Sequence, residues 1–175
     1  GILDLYWIKK HAGKRTEVHI MDGSNRFQSF LLQIVLPIES TNLDSNFQIG
    51  DYNGDNIPDI YWIKKQAAGR TEVHIMSGAE KYQKFLLQIR TILPSVSEDV
   101  EFGLSDYNNN GVNDLYCMNK QGKNGREVYV LNGKDRYISY LLKATTPMEK
   151  RDGNTQMVLV PGNKLNIYSI NRQGN

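Results

Sequence analysis

Short apolar runs alternate with polar turn residues along the chain, and this pattern repeats every 55 residues. The runs at residues 16–21, 71–76 and 126–131 are copies of one another, and each is followed by a glycine-containing turn. A second set of copies lies at residues 30–33, 85–88 and 140–143. Because self-similarity at a fixed period marks a repeat architecture, the repeat is the main guide to the fold.

Each period is predicted to hold four short strands, which in the middle copy cover residues 47–51, 60–65, 72–76 and 84–89. No segment carries a helical apolar stripe of about ten residues or more. The second strand is apolar on both faces, with Ile60 and Trp62 on one and Tyr61 and Ile63 on the other. A strand buried on both faces needs a sheet packed on each side.

These features predict an all-β protein, a β-propeller of four-stranded blades of about 55 residues with about three blades per chain. We expect an incomplete blade at residues 1–46, blades at 47–101 and 102–155, and a partial blade at 156–175, thirteen strands in all. A β-sandwich also uses many short strands, but it leaves the sustained repeat unexplained.

An open stack of about three blades has bare sheet edges that invite pairing. We therefore expect the ring to close with a second copy of the chain, as a homodimer, or with further blades of a longer chain. The chain also begins inside a repeat, since Asp4 corresponds to the last position of the loop described next. That first loop copy has no complete set of ligand positions.

Two acidic loops stand out because oxygen-bearing groups recur at their positions 1, 3, 5, 7 and 9. Calcium takes 6–8 oxygen ligands and tolerates irregular geometry, so it suits such a loop. The predicted ligands, with the backbone carbonyl supplied by Ile57 and by Val112, are Asp51, Asn53, Asp55, Ile57 and Asp59 in the first loop and Asp106, Asn108, Asn110, Val112 and Asp114 in the second.

Three carboxylates in the first loop and two in the second predict tighter calcium binding by the first. An EF-hand fits poorly, because position 12 is Trp62 in a strand-like run instead of a glutamate before a helix. The alternative is a metal-free turn, since Asp, Asn and Gly favour turns by themselves. In the last segment residues 161–164 replace the acidic loop, so we expect no cation site there.

Composition and charge fit a folded globular chain, with 39% hydrophobic and 23% charged residues. A net charge of +2 gives no case for binding nucleic acid or a membrane surface. No apolar run approaches the ~20 residues of a membrane span. The single cysteine, Cys117, takes the place of Trp62 in the next repeat, which favours a buried strand residue over a catalytic thiol.

The sequence contains no G-x-S-x-G elbow, P-loop or H-E-x-x-H motif, so we expect a protein that is not an enzyme. His19 and His74 occupy one repeat position, which is Tyr129 in the third copy, and a structural or surface role is favoured for them and for His11. The repeated glutamates Glu17, Glu72 and Glu127 follow the same logic. Trp7 and Trp62 have flat faces suited to sugar rings, but their place within a strand favours core packing.

The two loops resemble the calcium loop of FG-GAP/VCBS repeats, the blades of integrin α-subunit propellers and of many secreted microbial proteins. The second loop matches the pattern D-x-[DN]-x-[DN]-G-x-x-D fully, and the first matches it except for Asn56 at the glycine position. Residues 47–50 and 102–105 take the place of the FG-GAP strand without spelling it out. The resemblance covers roughly residues 1–145, and it implies a structural calcium ion at one rim of the propeller.

Members of this family include lectins, adhesion modules and domains attached to hydrolases. The resemblance implies a secreted, extracellular binding module, and we expect glycans as ligands, with protein adhesion or an accessory role beside a hydrolase as alternatives. Polar connections at one rim are the expected ligand-binding regions. Their basic residues are Lys10, Arg15, Lys65, Arg70, Lys120 and Arg126.

Overall fold

The computed structural model consists of antiparallel strands, and none of the residues it describes lies in a helix. It describes residues 2–12, 14–39, 41, 44–123, 125–148, 155–160 and 166–171, with the backbone alone for 11, 12 and the last two segments. Among these residues, no helix is long and apolar enough to cross a membrane. The prediction of an all-β protein is therefore confirmed.

Thirteen strands lie within the described residues, the number expected from the repeat. They are β1 (Leu5–Ala12), β2 (Arg15–Met21), β3 (Phe30–Glu39), β4 (Ser45–Gly50), β5 (Asp59–Ala67), β6 (Arg70–Met76), β7 (Phe85–Pro94), β8 (Val100–Ser105), β9 (Asp114–Asn119), β10 (Glu127–Leu131), β11 (Tyr140–Thr145), β12 (Thr155–Val160) and β13 (Asn166–Asn171).

Four sheets follow the sequence in order, each an antiparallel meander. The first sheet is β1-β2-β3, the second β4-β5-β6-β7, the third β8-β9-β10-β11 and the fourth β12-β13. Tight turns after β1 and β5 fix the register, which pairs Trp7 with His19 and Trp62 with His74. Equivalent residues of the first two sheets are thus paired identically.

Two strands are longer than predicted, because their ends continue the ladder beyond the regular apolar pattern. β5 extends to Ala67 and β7 to Pro94, where the sequence indicated ends at residues 65 and 89. Lys10 and Lys65 therefore lie in strands β1 and β5. The expectation that the connecting loops begin at these two lysines is wrong.

The core lies between consecutive sheets, and β5 contributes to both of its halves. Tyr61 and Ile63 are fully buried against the third sheet, while Ile60 and Trp62 pack with residues of the first. The burial of β5 on both faces agrees with its apolar sequence. Cys117 lies in the same core and is fully buried, as its repeat position predicted.

Contacts between the second and third sheets bring together their first strands, since β4 contacts β8. Asn113, just before β9, donates from its side-chain amide to the carbonyl of Asp51 at 2.9 Å. The backbone N–H of Ile92 donates to the carbonyl of Tyr137 at 3.2 Å. Successive sheets are therefore linked at both their first and last strands.

One face of the first sheet is exposed, whereas the equivalent face of the second sheet packs against the first sheet. Leu5 is 51% exposed, whereas its counterpart Ile60 is fully buried by the first sheet. Phe27 is 43% exposed, and its counterpart Tyr82 is 3% exposed. Trp7 and Phe30 lie on the same face and are also exposed. We call this surface, formed by Leu5, Trp7, Phe27 and Phe30, the outer face of the first sheet.

Candidate metal centre

The two acidic loops share one backbone conformation, in which positions four and six are left-handed. Gly54 and Asn56 have φ values of 77° and 63°, and in the second loop Asn109 and Gly111 have 57° and 85°. Glycine and asparagine are the residues that adopt this region at least cost. Each loop uses one of each in opposite order, which explains why Asn56 replaces the glycine of the repeat pattern.

The aspartate at position one folds each loop around its own carboxylate. Asp51 accepts hydrogen bonds from the backbone N–H groups of Gly54 and Asn56, both at 2.8 Å. Asp106 also accepts two backbone hydrogen bonds, from position five (Asn110, 3.0 Å) and from position six (Gly111, 2.7 Å). Both carboxylates are thus directed into the loop, where a cation ligand has to be.

The residue at position five caps the second half of the loop. Asp55 accepts from the N–H of Ile57 at 2.8 Å, and Asn110 accepts from the N–H of Val112 at 2.9 Å. Asn53, at position three of the first loop, donates its side-chain amide to Asp55 at 2.9 Å. Its counterpart Asn108 is exposed.

The aspartate at position nine is fully buried and joins the loop to a later turn. Asp59 accepts from the N–H groups of Tyr52 and Gly78, both at 2.9 Å. Asp114 is likewise fully buried. It accepts from the N–H groups of Tyr107 at 2.9 Å and Gly133 at 2.8 Å, the equivalents of Tyr52 and Gly78 one repeat later. Even Asp4, in the incomplete first copy, accepts from the N–H of Gly23 at 3.0 Å. This aspartate therefore has a structural role in the three copies that contain it.

Negative charge accumulates in the first loop. Burial raises the pKa of Asp59 above its usual value, and the nearby Asp55 and Asp51 carboxylates raise this pKa further, against the lowering effect of its two backbone hydrogen bonds. Burial also raises the pKa of Asp114, with a contribution from Asp106. A bound cation would relieve this repulsion.

The donor chemistry of both loops fits calcium, since carboxylate, amide and backbone oxygens are its ligands in proteins. Within the described part of the chain, however, no three His, Cys, Asp or Glu side chains form a group that could hold a metal ion. A calcium site in these loops therefore has to draw on amide and carbonyl oxygens as well as on carboxylates.

The basic residues expected to bind ligands make contacts within the protein instead of sharing one site. Lys10 donates to the carbonyl of Ser45 at 2.7 Å, and the buried Lys65 donates to that of Glu98 at 3.2 Å. Burial lowers the pKa of both amines. Lys120 forms an ion pair with Glu101. Lys10 and Lys65 thus connect one sheet to the approach to the next, whereas Lys120 pairs within the third sheet.

The three arginines do not share one site either. Arg70 donates to the carbonyl of Ile92 at 3.1 Å, and Arg126 is buried. Arg15 is exposed and lines a cavity of about 330 Å³ beside Glu39. The structure thus leaves Arg15 as the predicted basic residue that faces a cavity.

The repeated histidines and glutamates form structural pairs. His74 bonds through Nε2 to Glu72 at 3.1 Å, and His19 pairs with Glu17 at 3.0 Å. In the third copy the hydroxyl of Tyr129 donates to Glu127 at 2.8 Å, so the hydrogen bond to this glutamate is retained although tyrosine replaces histidine. The side chain of His11 lies outside the described residues.

Burial raises the pKa of Cys117 to about 12, which leaves this thiol protonated at neutral pH.

A second cavity, of about 260 Å³, lies beside Trp62 at the junction of the first and second sheets, and the rim-loop interpretation of the sequence missed it. Its lining residues are Glu39, Thr41, Asp44, Ser45, Trp62, Lys64 and Gln66. The available sequence signal was a change at five of these seven positions in the next repeat, where only Asp44 and Gln66 are retained, as Asp99 and Gln121.

Comparisons with protein-family models, with curated proteins and with solved structures find no match to this chain.

Proposed function

We propose that this protein is a calcium-stabilised β-propeller binding module of FG-GAP/VCBS-like blades. The observation that carries the proposal is the pair of acidic loops with identical left-handed positions and inward-directed carboxylates. Two unrelated turns have no reason to share this geometry at matched positions of a repeat. Calcium supplies positive charge to each loop and holds it closed.

The proposed ligands of the first ion are Asp51, Asn53, Asp55, Asp59 and the Ile57 carbonyl. Those of the second are Asp106, Asn108, Asn110, Asp114 and the Val112 carbonyl. The first site has one more carboxylate and is the tighter of the two. Extracellular modules bind calcium with dissociation constants of about 10⁻⁴–10⁻³ M, which agrees with the proposed secretion of this protein.

Sheets stacked in sequence order, with contact between the first strands β4 and β8, support the propeller arrangement. We further propose that a second copy of the chain covers the outer face of the first sheet and completes the ring. This face consists of the same residue positions that the first sheet covers on the second. A blade-like surface is therefore its natural complement.

Extracellular glycans are the proposed ligand class. A polar cavity with an aromatic wall, beside Trp62, supports this choice, because ligand pockets combine an apolar surface with a few convergent polar groups. A protein-adhesion role is the second candidate, and the exposed apolar outer face of the first sheet favours it.

Calcium titration calorimetry tests the metal part of the proposal. We expect two ions per chain, and Asp55→Ala should reduce this to one with little loss of stability in chelator, because Asp55 is exposed. Asp59→Asn is the matched variant: it should lower the free energy of unfolding by about 1–3 kcal/mol even in chelator, since asparagine keeps a single acceptor oxygen and one of the two backbone donors loses its buried acceptor. Unchanged stoichiometry in Asp55→Ala would refute the site.

A glycan array, probed in millimolar calcium and again in chelator, tests recognition. Binding that disappears with chelator supports a calcium-dependent glycan-binding module. Absence of binding by folded, calcium-loaded protein would reject the glycan proposal and favour a protein partner.

A further inference from the structure

The cavity beside Trp62 has a well-defined position in the fold. Trp62, Lys64 and Gln66 alternate along β5, so they lie on one face of this strand, the face directed at the first sheet. Glu39, the last residue of β3, forms the opposite side. Thr41 and Asp44, on the link between the two sheets, and Ser45, the first residue of β4, also line it.

The polar lining is not a requirement of the fold, as the next junction shows. There, one repeat later, Val96, Val100 and Cys117 stand in place of Thr41, Ser45 and Trp62. Val100 and Cys117 are buried in the core and Val96 packs against it. Glu39 and Lys64 are replaced by Pro94 and Asn119. The same backbone junction thus closes over apolar groups in one case and opens into a polar cavity in the other.

The indole of Trp62 is held in a fixed orientation within this cavity. Its Nε1–H donates to the hydroxyl of Ser45 at 2.9 Å. The His74 ring packs against it with centroids 4.9 Å apart, and the Lys64 ammonium lies 5.3 Å from its centroid. Side chains locked by such contacts make a preorganised site, which binds at a lower entropic cost.

The chemistry of the lining indicates an uncharged polyhydroxylated ligand. Glu39 and Asp44 accept hydrogen bonds from hydroxyl groups, while Lys64 and Gln66 donate them. The indole adds an apolar surface for the carbon face of a ring. The carboxylates of Glu39 and Asp44 disfavour an anion, and the test below includes a small cation as the competing ligand.

We propose that this cavity binds one neutral sugar ring of a glycan, with Trp62 as its platform and Glu39 and Lys64 as specificity-determining contacts. The inference rests on the proposed glycan-binding function and assigns it to a single site per chain. Trp62 and Lys64 separate this site from the arginine-bearing connections, whereas Glu39 also lines the cavity of Arg15.

The test uses methyl glycosides of glucose, galactose, mannose and N-acetylglucosamine as probes. Binding is followed through the NMR signal of the Trp62 indole N–H and through tryptophan fluorescence, in millimolar calcium. We expect one of these sugars to shift the Trp62 signal, and Glu39→Gln and Lys64→Asn each to weaken its binding by about tenfold or more. Lys64→Asn introduces the residue found at the next junction, so it is compatible with the fold.

Arg70→Ala is the matched control, because Arg70 belongs to the rival rim site. If glycan binding on the array persists in Glu39→Gln and Lys64→Asn but fails in Arg70→Ala, the cavity proposal is wrong and the glycan function stands. A Trp62 shift caused by tetramethylammonium but by none of the sugars also overturns it. If folded protein binds no glycan on the array and none of the probes, both proposals fail.

Discussion

At the scale of single residues, the repeated turn glycine shows how a backbone contact dictates sequence. A Cβ atom on Gly78 would lie 2.2 Å from the carbonyl oxygen of Pro58, well inside contact distance. The equivalent glycines have the same restriction, at 2.0 Å for Gly23 and 2.1 Å for Gly133. The N–H of this glycine is also the donor to the buried aspartate at position nine. Glycine is required because the turn packs directly on the acidic loop.

Gly78→Ala should therefore lower the free energy of unfolding by about 1–3 kcal/mol, since the added methyl group forces the turn away from the loop. Urea denaturation in chelator measures this loss without a contribution from calcium. Gly54→Asn is the control: Asn109 has the same left-handed conformation at the equivalent position, so stability should change by less than about 0.5 kcal/mol. Equal losses in both variants would contradict the close-contact explanation.

Sequence reasoning succeeded for residues whose role depends on local spacing. The loop at residues 51–59 could be recognised because its oxygen-bearing residues are near one another in sequence, and calcium binding by this loop stays a prediction. It failed for Lys65, whose acceptor is the carbonyl of Glu98 on the approach to the next sheet. Contacts between sheets depend on how the sheets pack, and a single repeat does not encode that information.

At the scale of elements, period and alternation were sufficient to predict every strand of the middle copy, and the two-sided burial of β5 followed from its apolar run. Strand ends were less predictable, because polar residues such as Gln66 continue the ladder without an apolar signal. The pairing of β5 with β6 also places His74 against Trp62 and beside Glu72. We expect this cluster to make the stability of the β5–β6 pair depend on pH.

The folded state disfavours a protonated His74. Burial lowers the pKa of His74 below the 6.5 of the unfolded chain, despite the hydrogen bond with Glu72 that raises it. Burial alone would raise the pKa of Glu72, but hydrogen bonds from His74 and Arg90 leave it lowered. Folding lowers the pKa of both residues, so at these two sites the unfolded chain binds more protons than the folded chain. Stability is therefore lost as the pH falls through 6.5.

We expect the melting temperature to fall between pH 7 and pH 5, and His74→Gln to reduce this fall. Glutamine keeps a polar partner for Glu72 and does not titrate. Differential scanning calorimetry of both proteins in chelator gives the comparison, so that proton competition with calcium does not contribute. An unchanged pH dependence in His74→Gln would show that other groups govern acid stability.

At the scale of the whole molecule, the two sheet junctions differ although their sheets are built from the same repeat. The core between the second and third sheets is apolar, whereas the first junction opens into the cavity beside Trp62. The repeat predicted stacked sheets, but this cavity depends on departures from the repeat, such as Trp62 against Cys117. A difference between copies is more informative about binding than the pattern they share.

Assembly is the prediction that belongs to this scale. Exposed apolar side chains normally occur singly, but the outer face of the first sheet groups four of them at positions that are buried or partly buried in the second sheet. The chain has a mass of 20.0 kDa, and we expect size-exclusion chromatography with light scattering to give twice that mass. Leu5→Glu places a charge on this face and should produce a monomer that remains folded, because Leu5 is already exposed in the single chain.

Ile138→Glu is the matched control for this assembly. Ile138 is 54% exposed, as much as Leu5, but it lies in the turn after β10 and outside the outer face of the first sheet. This variant should keep the mass of the unmodified protein. A dimer that resists Leu5→Glu would show that another surface joins the two copies, and a monomeric unmodified protein would reject the ring closed by two chains. Loss of the dimer in Leu5→Glu alone would identify the outer face as the surface that receives the next blade.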